Sequence, residues 1–279
     1  MFYLITFASM KLIADSGSTK TDWVLTDGTC VVETFQTQGI NPFHQSEEVI
    51  LSVLREVVCS PAAVEFYGSG VRPELKPTME RLLKAAFPST EVVEAHGDLL
   101  GAARALFGRG EGIACILGTG ANSGLYDGSD IVSNVPPLGY ILGDEGSGAV
   151  LGKRFLNLLY KGFIDDSLKT DFQHDTGLSM ADVIDRVYRQ PLPNRFLASL
   201  SLFISRHLEH PQLRQLVIDN FCDFFRRNVA HYQRPDLPVG FVGSMAYHYH
   251  DQLREAAAAE GFRVGRVLKS PIEGLIAFE

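Results

Sequence analysis

The chain has 279 residues, 46% hydrophobic and 21% charged, which is enough apolar material for one large globular domain or two of ordinary size. A net charge of −8 opposes binding to phosphate backbones, which takes clustered Lys and Arg, so a small molecule is the expected ligand, with no nucleic acid and no membrane. Cys30, Cys59, Cys115 and Cys222 are scattered without C-x-x-C pairs or histidines at ligand spacing, and read as reduced thiols of a cytoplasmic protein.

In chain order, "MFYLITFAS" (residues 1–9) is apolar but too short to span a bilayer and lacks the basic start of a signal peptide. With Met10 directly before "KLIAD", it reads as an upstream start without functional weight. Leu12-Ile13-Ala14 then ends at Asp15 and runs into Ser16-Gly17-Ser18-Thr19-Lys20-Thr21, followed by Trp23-Val24-Leu25 and Asp27-Gly28. Small residues let backbone N–H groups approach an anion, and hydroxyls add donors. The stretch fits neither G-x-x-x-x-G-K-[ST] nor a G-x-G-x-x-G that opens a helix. The Asp-Gly pair predicts a two-residue hairpin, so the phosphate-type turn belongs to a β-hairpin. Ser46 next heads a helix in which Val49, Val53, Leu54 and Val57 recur at helical spacing. "AVEFYGSG" reads as a strand, "TMERLLKAAF" as a helix, "EVVEAHGD" as a strand and "LLGAARALF" as a helix starting after Asp98, which together indicate an α/β layer.

At Gly112 the layout begins again. "GIACILGTGANSGLYDGSDIVSN" runs apolar strand, small-residue turn with Thr, strand, Asp-Gly, strand, as residues 12–35 do. The recurrence reads either as a duplicated domain or as chance repetition of a common turn. "LGDEGSGAVLGKRF" is a glycine-rich loop entering a helix, and residues from about 179 to 232 are mostly helical. "LPVGFVGSMA" gives a buried strand closed by Gly243-Ser244. A helix around "YHDQLREAAAAE", a strand around "FRVGRVL" and a short helix in "SPIEGLIAF" follow. His96, His248 and His250 do not add up to a metal site, because two histidines two apart share a face only on a strand.

Four small-residue turns thus stand at strand ends: residues 15–21, 118–123, 143–148 and Gly243-Ser244. Each alone is an ordinary turn; together, with carboxylates in two of them, they are what a nucleotide cleft requires. In this order, from Leu12 to Phe278, they resemble the phosphate and adenosine motifs of the acetate kinase/sugar kinase/Hsp70/actin superfamily. More narrowly they resemble the N-acetylglucosamine kinase and BadF/BadG ATPase family. The resemblance implies an α/β fold of two ribonuclease-H-like lobes, a duplicated actin-like ATPase fold with a cleft between them. The lobes would be residues 1–108 and 109–279, the second with a helical insertion, and residues 270–279 would pack back on the first.

The activity implied is ATP-dependent phosphorylation of a sugar or amino sugar such as N-acetylglucosamine, with ATP and Mg²⁺, in a homodimer. Residue by residue, the resemblance gives Asp15 to Mg²⁺, and Gly17, Ser18, Thr19 and Lys20 to the β- and γ-phosphates. Gly118, Thr119 and Gly120 would grip those phosphates from the second half, and Gly243 and Ser244 would lie against the nucleoside. Asp98 would take the proton of the attacking sugar hydroxyl, while Asn41 and Asp144 would bind sugar hydroxyls. Leu138 and Gly139 stand where that family carries "GWG", which leaves the sugar open. Read from the residues alone, Asp98 can also be a helix N-cap, with the base favoured, Lys20 a solvated hairpin lysine and Asn41 a turn residue before Pro42. Two rival functions are an ATPase that activates a partner enzyme, which needs cysteines placed for a shared cluster, and a sugar- or nucleotide-binding regulator without catalysis. The carboxylates Asp15, Asp98 and Asp144 speak against the second, since binding alone needs no base.

Overall fold

The computed structural model describes residues 10–17 and 19–278, so the reading of residues 1–9 and the phosphate role of Ser18 lie outside the described residues. Leu12, Ile13 and Ala14 are apolar on both faces of a strand because that strand, β1 (Met10–Ser16), is the centre of its sheet and buried from both sides. β1 turns back into β2 (Lys20–Asp27), and β2 into β3 (Cys30–Gln38), as antiparallel neighbours. After α1 (Glu47–Leu54), β4 (Ala63–Gly68) pairs parallel to β1, and after α2 (Lys76–Ala86), β5 (Val92–Gly97) pairs parallel to β4. α3 (Asp98–Phe107) follows without a loop. The sheet order is β3-β2-β1-β4-β5. Its core holds Trp23, fully buried against Phe66 and Phe87, with the indole N–H satisfied by Thr37 Oγ1 at 3.0 Å.

The same topology then recurs. β6 (Gly112–Leu117), β7 (Ala121–Tyr126) and β8 (Ile131–Val135) form a second antiparallel meander. Seven helices follow: α4 (Gly139–Leu142), α5 (Gly148–Tyr160), α6 (Asp166–Thr176), α7 (Met180–Tyr188), α8 (Pro193–Ser199), α9 (Ser201–Arg206) and α10 (Pro211–Arg227). β9 (Val239–Val242) pairs parallel to β6, and after α11 (Ser244–His248) and α12 (His250–Ala259), β10 (Val264–Leu268) pairs parallel to β9. The order is β8-β7-β6-β9-β10, strand for strand that of the first sheet. Even the irregularities correspond: the β2–β3 ladder shifts register between Leu25 and Thr26, the β7–β8 ladder between Leu125 and Tyr126, each just before an Asp-Gly pair. The recurrent hairpin is therefore a duplicated domain and not a repeated turn. His248 ends one helix and His250 opens the next, so they share no strand face.

The chain divides into two compact units. One takes in the described part of residues 1–110, Gly128–Asp130 and the end of the chain from Ser270; the other is Glu111–Asp127 with Ile131–Lys269. Each has its own apolar core, the second widened by the helical insertion, where Phe155, Phe172 and Phe203 pack edge to face and tilted at 5.4–5.5 Å. The last helix, α13 (Ile272–Ile276), lies on α3 in the first unit, Gly274 against Ala105. Among the described residues no helix is long and apolar enough to cross a membrane.

Candidate active site

In the first unit the parallel pairing of β1, β4 and β5 aligns Asp15 with Tyr67 and Tyr67 with His96, so Asp15 and Asp98 both stand at carboxyl ends of strands. Asp98 is the first residue of α3, behind an N-cap taken by Gly97, and its Oδ1 accepts the Leu99 N–H at 2.9 Å. The cap reading of Asp98 is thus displaced by one residue. Burial pushes the Asp98 carboxyl up to about 6, against the pull of backbone N–H groups at Leu99 and at Asp98 itself. Asp15 is held up to about 7, first by burial, then by the charges of Asp98 and Asp22; the Lys20 ammonium pulls the other way. Asp98, far away in the sequence, thus stands near enough to Asp15 for its charge to help raise it.

Lys20 is 56% exposed at its side chain and bound to Asp22, 2.7 Å away, with Gln36 on the same carboxylate. Gly17 and Thr19 are exposed in the turn, which closes by Gly17 N–H donating to Lys20 O, while the Thr19 carbonyl accepts Gly39 N–H. Asn41 uses its side-chain Oδ1 on the Phe43 N–H at 2.9 Å, and its own backbone N–H donates to Gln45 Oε1. Its Nδ2 donors have no acceptor among the described residues. Gly70, at φ +81°, passes so close that a Cβ there would stand 2.1 Å from Asn41 Oδ1.

Reading from sequence missed Ser16. Its fully buried hydroxyl donates to Ile40 O, accepts Ile40 N–H at 2.9 Å and meets Thr21 Oγ1 at 2.7 Å, tying β1, β2 and the segment before Asn41 to one atom. Only its neighbour Asp15 marked it, and the partner is 24 residues on.

In the second unit the turn after β6 is built around α5. The carbonyls of Gly118 and Thr119 accept the N–H groups of Gly148 and Ala149, and Ser147 Oγ caps Val150, so the first amides of that helix are spent. Among the described residues the amides of Thr119 and Gly120 donate to nothing, which leaves the turn itself to receive an anion. Asp144, at φ 53°, lays its carboxylate against Gly120 and accepts the Ala121 N–H. Burial and then Glu145 push it up to about 6, while the Ala121 amide and Lys153 pull it down. Lys153, also missed from sequence, donates to Tyr140 O at 2.7 Å and so ties α4 to α5. Leu138, 62% exposed at φ 62°, and Gly139 lead into α4. Gly243, at φ +121°, lies where a Cβ would be 2.4 Å from Leu117 O, and exposed Ser244 opens α11.

The expected residues thus assemble as two sets. Asp15, Gly17, Thr19, Lys20, Asn41 and Asp98 fall in the first unit; Gly118, Thr119, Gly120, Leu138, Gly139, Asp144, Gly243 and Ser244 fall in the second. Within the first unit the Asp15 carboxylate suits a divalent cation, and within the second the amides of Thr119 and Gly120 suit a phosphate. A carboxylate raised first by burial and then by two like neighbours favours a cation, and among the described residues no three His, Cys, Asp or Glu side chains converge on one point, so such a cation would keep water and phosphate oxygens as ligands.

A solved candidate N-acetylglucosamine kinase from Porphyromonas gingivalis matches at 50% identity and a TM-score of 0.94, over 96% of this chain and 98% of that one. A candidate N-acetylglucosamine kinase from Chromobacterium violaceum matches at 19% identity and a TM-score of 0.73, over 98% and 99%. A ROK hexokinase from Thermus thermophilus matches at 16% and 0.52, over 96% and 98%. The latter two share the fold. No protein-family model and no curated protein matches the chain.

Proposed function

The chain belongs to the N-acetylglucosamine kinase-like family of the actin-like ATPase superfamily, and on that premise we propose that it phosphorylates a hydroxyl of a sugar or amino sugar such as N-acetylglucosamine. The observation that carries the reading is Asp98: a carboxyl with a pKa of about 6, at a strand end beside Asp15, is a base poised near neutral pH. ATP is the donor of the γ-phosphoryl group, and Asp15 would hold Mg²⁺, which would supply positive charge against the phosphate oxygens. Asp98 accepts the proton of the acceptor hydroxyl as that oxygen bonds to phosphorus and the bond to the ADP oxygen breaks. Asn41 Nδ2 donates to the sugar, and Asp144 accepts from its hydroxyls. Thr119 and Gly120 offer amides to the phosphates, and Gly17, Ser18, Thr19 and Lys20 face those phosphates from the other hairpin. Gly243 and Ser244 border the nucleoside.

Binding alone requires no base, so Asp98 favours catalysis over a pure regulator. Cys115 and Cys222 are buried in their own unit's core, which does not favour an activator that shares a cluster. Four free thiols support a reducing cytoplasm, and a homodimer is the assembly proposed. Purified protein with ATP, Mg²⁺ and a panel of amino and N-acetyl sugars should release ADP in a sugar-dependent way. Absence of turnover with every sugar would overturn the reading.

A further inference from the structure

The loop that leads from Asp144 into α5 runs along α10 and meets it at successive helical turns. Asn220 Nδ2 donates to the Ser147 carbonyl at 3.3 Å. One turn on, Phe224 packs under Gly146, where a Cβ would stand 2.8 Å from the Phe224 Cβ. At the last residue of the helix, Arg227 reaches Glu145 at 3.8 Å. Side chains at i, i+4 and i+7 share one helix face, so a single face of α10 backs residues 145–147 in succession, with Asp144 next in line. All of these residues belong to one unit.

One of these contacts is out of keeping with its surroundings. Asn220 is fully buried on a helix whose other fully buried side chains, Leu213, Val217, Phe221, Phe224 and Phe225, are apolar, and its Oδ1 has no partner among the described residues. A buried amide that leaves an acceptor unmet costs stability, which leucine, with the same branching, would not. Nor does the Ser147 carbonyl need the contact, since it already accepts the Leu151 N–H at 3.0 Å. What the bond does is fix a peptide plane. The N–H of the same peptide, at Gly148, donates to Gly118 O at 2.8 Å, and the Ser147 N–H donates to the Asp144 carbonyl at 3.0 Å. Asp144 itself stands at φ 53°, a backbone conformation that a non-glycine residue keeps only when its neighbours hold it there.

Resting on the sugar-kinase reading and on Asp144 as a residue that binds the acceptor, we infer that Asn220 is a positioning residue: through the Ser147–Gly148 peptide it holds Asp144 where the sugar hydroxyls meet it. Its donor serves acceptor binding at a cost to stability, and, being fully buried, it touches neither sugar nor nucleotide.

The test puts Asn220→Leu, Asp144→Asn and the double variant into the intact chain. Asn220→Leu should melt no lower than wild type, raise KM for the sugar acceptor by about 5- to 20-fold and leave kcat and KM for ATP within about two-fold, the pattern of lost binding without lost chemistry. Hydrogen–deuterium exchange should quicken at the amides of residues 144–148 and stay unchanged along α10. On top of Asp144→Asn, Asn220→Leu should change KM for the sugar by less than about two-fold, because one group acts through the other. Asn220→Ala, which removes the donor without filling its space, should repeat the KM rise at a lower melting temperature. The inference falls if either variant leaves KM for the sugar at its wild-type value, or if both lower kcat and raise the two KM values alike, as a damaged core would. It falls equally if the effects of Asn220→Leu and Asp144→Asn on KM add in full. A wild-type sugar KM in Asn220→Leu sinks this inference alone, while no turnover of any acceptor by the wild type sinks the kinase reading and takes this one with it.

Discussion

Replacing Asp98 with asparagine should make the protein more stable and nearly inactive at once. Burial raises this carboxyl from 3.8 to about 6, so the folded chain holds the proton more tightly than the unfolded chain does. Its contribution is therefore fully present below about pH 4, declines as pH rises toward 6, and is absent above that. Two pKa units correspond to about 3 kcal/mol of folding free energy withheld at neutral pH, and relaxation around the group brings the expected figure to about 1–3 kcal/mol. Asparagine keeps the shape, and its Oδ1 still accepts the Leu99 N–H that Asp98 accepts at 2.9 Å. Thermal melts at pH 7.5 should place Asp98→Asn several degrees above wild type, with the gap closing toward pH 4. ADP release with the sugar acceptor should fall by about 10²- to 10⁴-fold, the usual worth of a general base. The wild-type kcat/KM should rise with pH through the range from about 6 to 7, where Asp98 and Asp15 lose their protons. A variant no more stable than wild type at pH 7.5 would refute the burial argument. One that retains more than about a tenth of the activity would refute the base assignment.

Ser16→Ala leaves the buried Ile40 N–H without its acceptor, so chemical denaturation should register a loss of about 1–3 kcal/mol, and KM for the sugar should rise as the segment before Asn41 loosens. Gly243→Ala forces a Cβ toward Leu117 O at a φ of +121°, so about 1–3 kcal/mol of stability should go and KM for ATP should increase; wild-type behaviour in both assays would refute that close approach. Lys153→Met removes the ammonium that pulls the Asp144 carboxyl down. Asp144 should then protonate at higher pH, and KM for the sugar should rise more at pH 6 than at pH 8.

The duplication was legible as one of two readings because hairpins are local. An apolar run, a turn of small residues and an Asp-Gly pair lie within two dozen residues, and their recurrence carries the strand order with it. Asp98 was visible as a carboxylate between a strand pattern and a helix pattern, but whether it or Gly97 caps α3 turns on one residue of backbone geometry that propensity does not resolve. Lys20 was legible as a cation beside the turn, while its pairing with Asp22 depends on side chains of one strand edge choosing each other over solvent. Ser16 was silent for a different reason. A serine in a small-residue turn is ordinary, and it acquires meaning only from a partner in another segment, Ile40. The helical insertion announced itself as apolar periodicity, whereas the seat of α13 on α3 joins segments far apart in the chain and was expected only from the resemblance.

That seat also sets an order of manufacture. The chain crosses between its units after Gly110, Asp127, Asp130 and Lys269, so the unit whose strands leave the ribosome first is the one finished last. Until residues 272–276 emerge, the patch of α3 around Ala105 has no cover, whereas every strand and helix of the other unit has already been made. A nascent chain stalled just short of Ser270 carries one complete unit and one still open, and that open one holds Asp15 and Asp98.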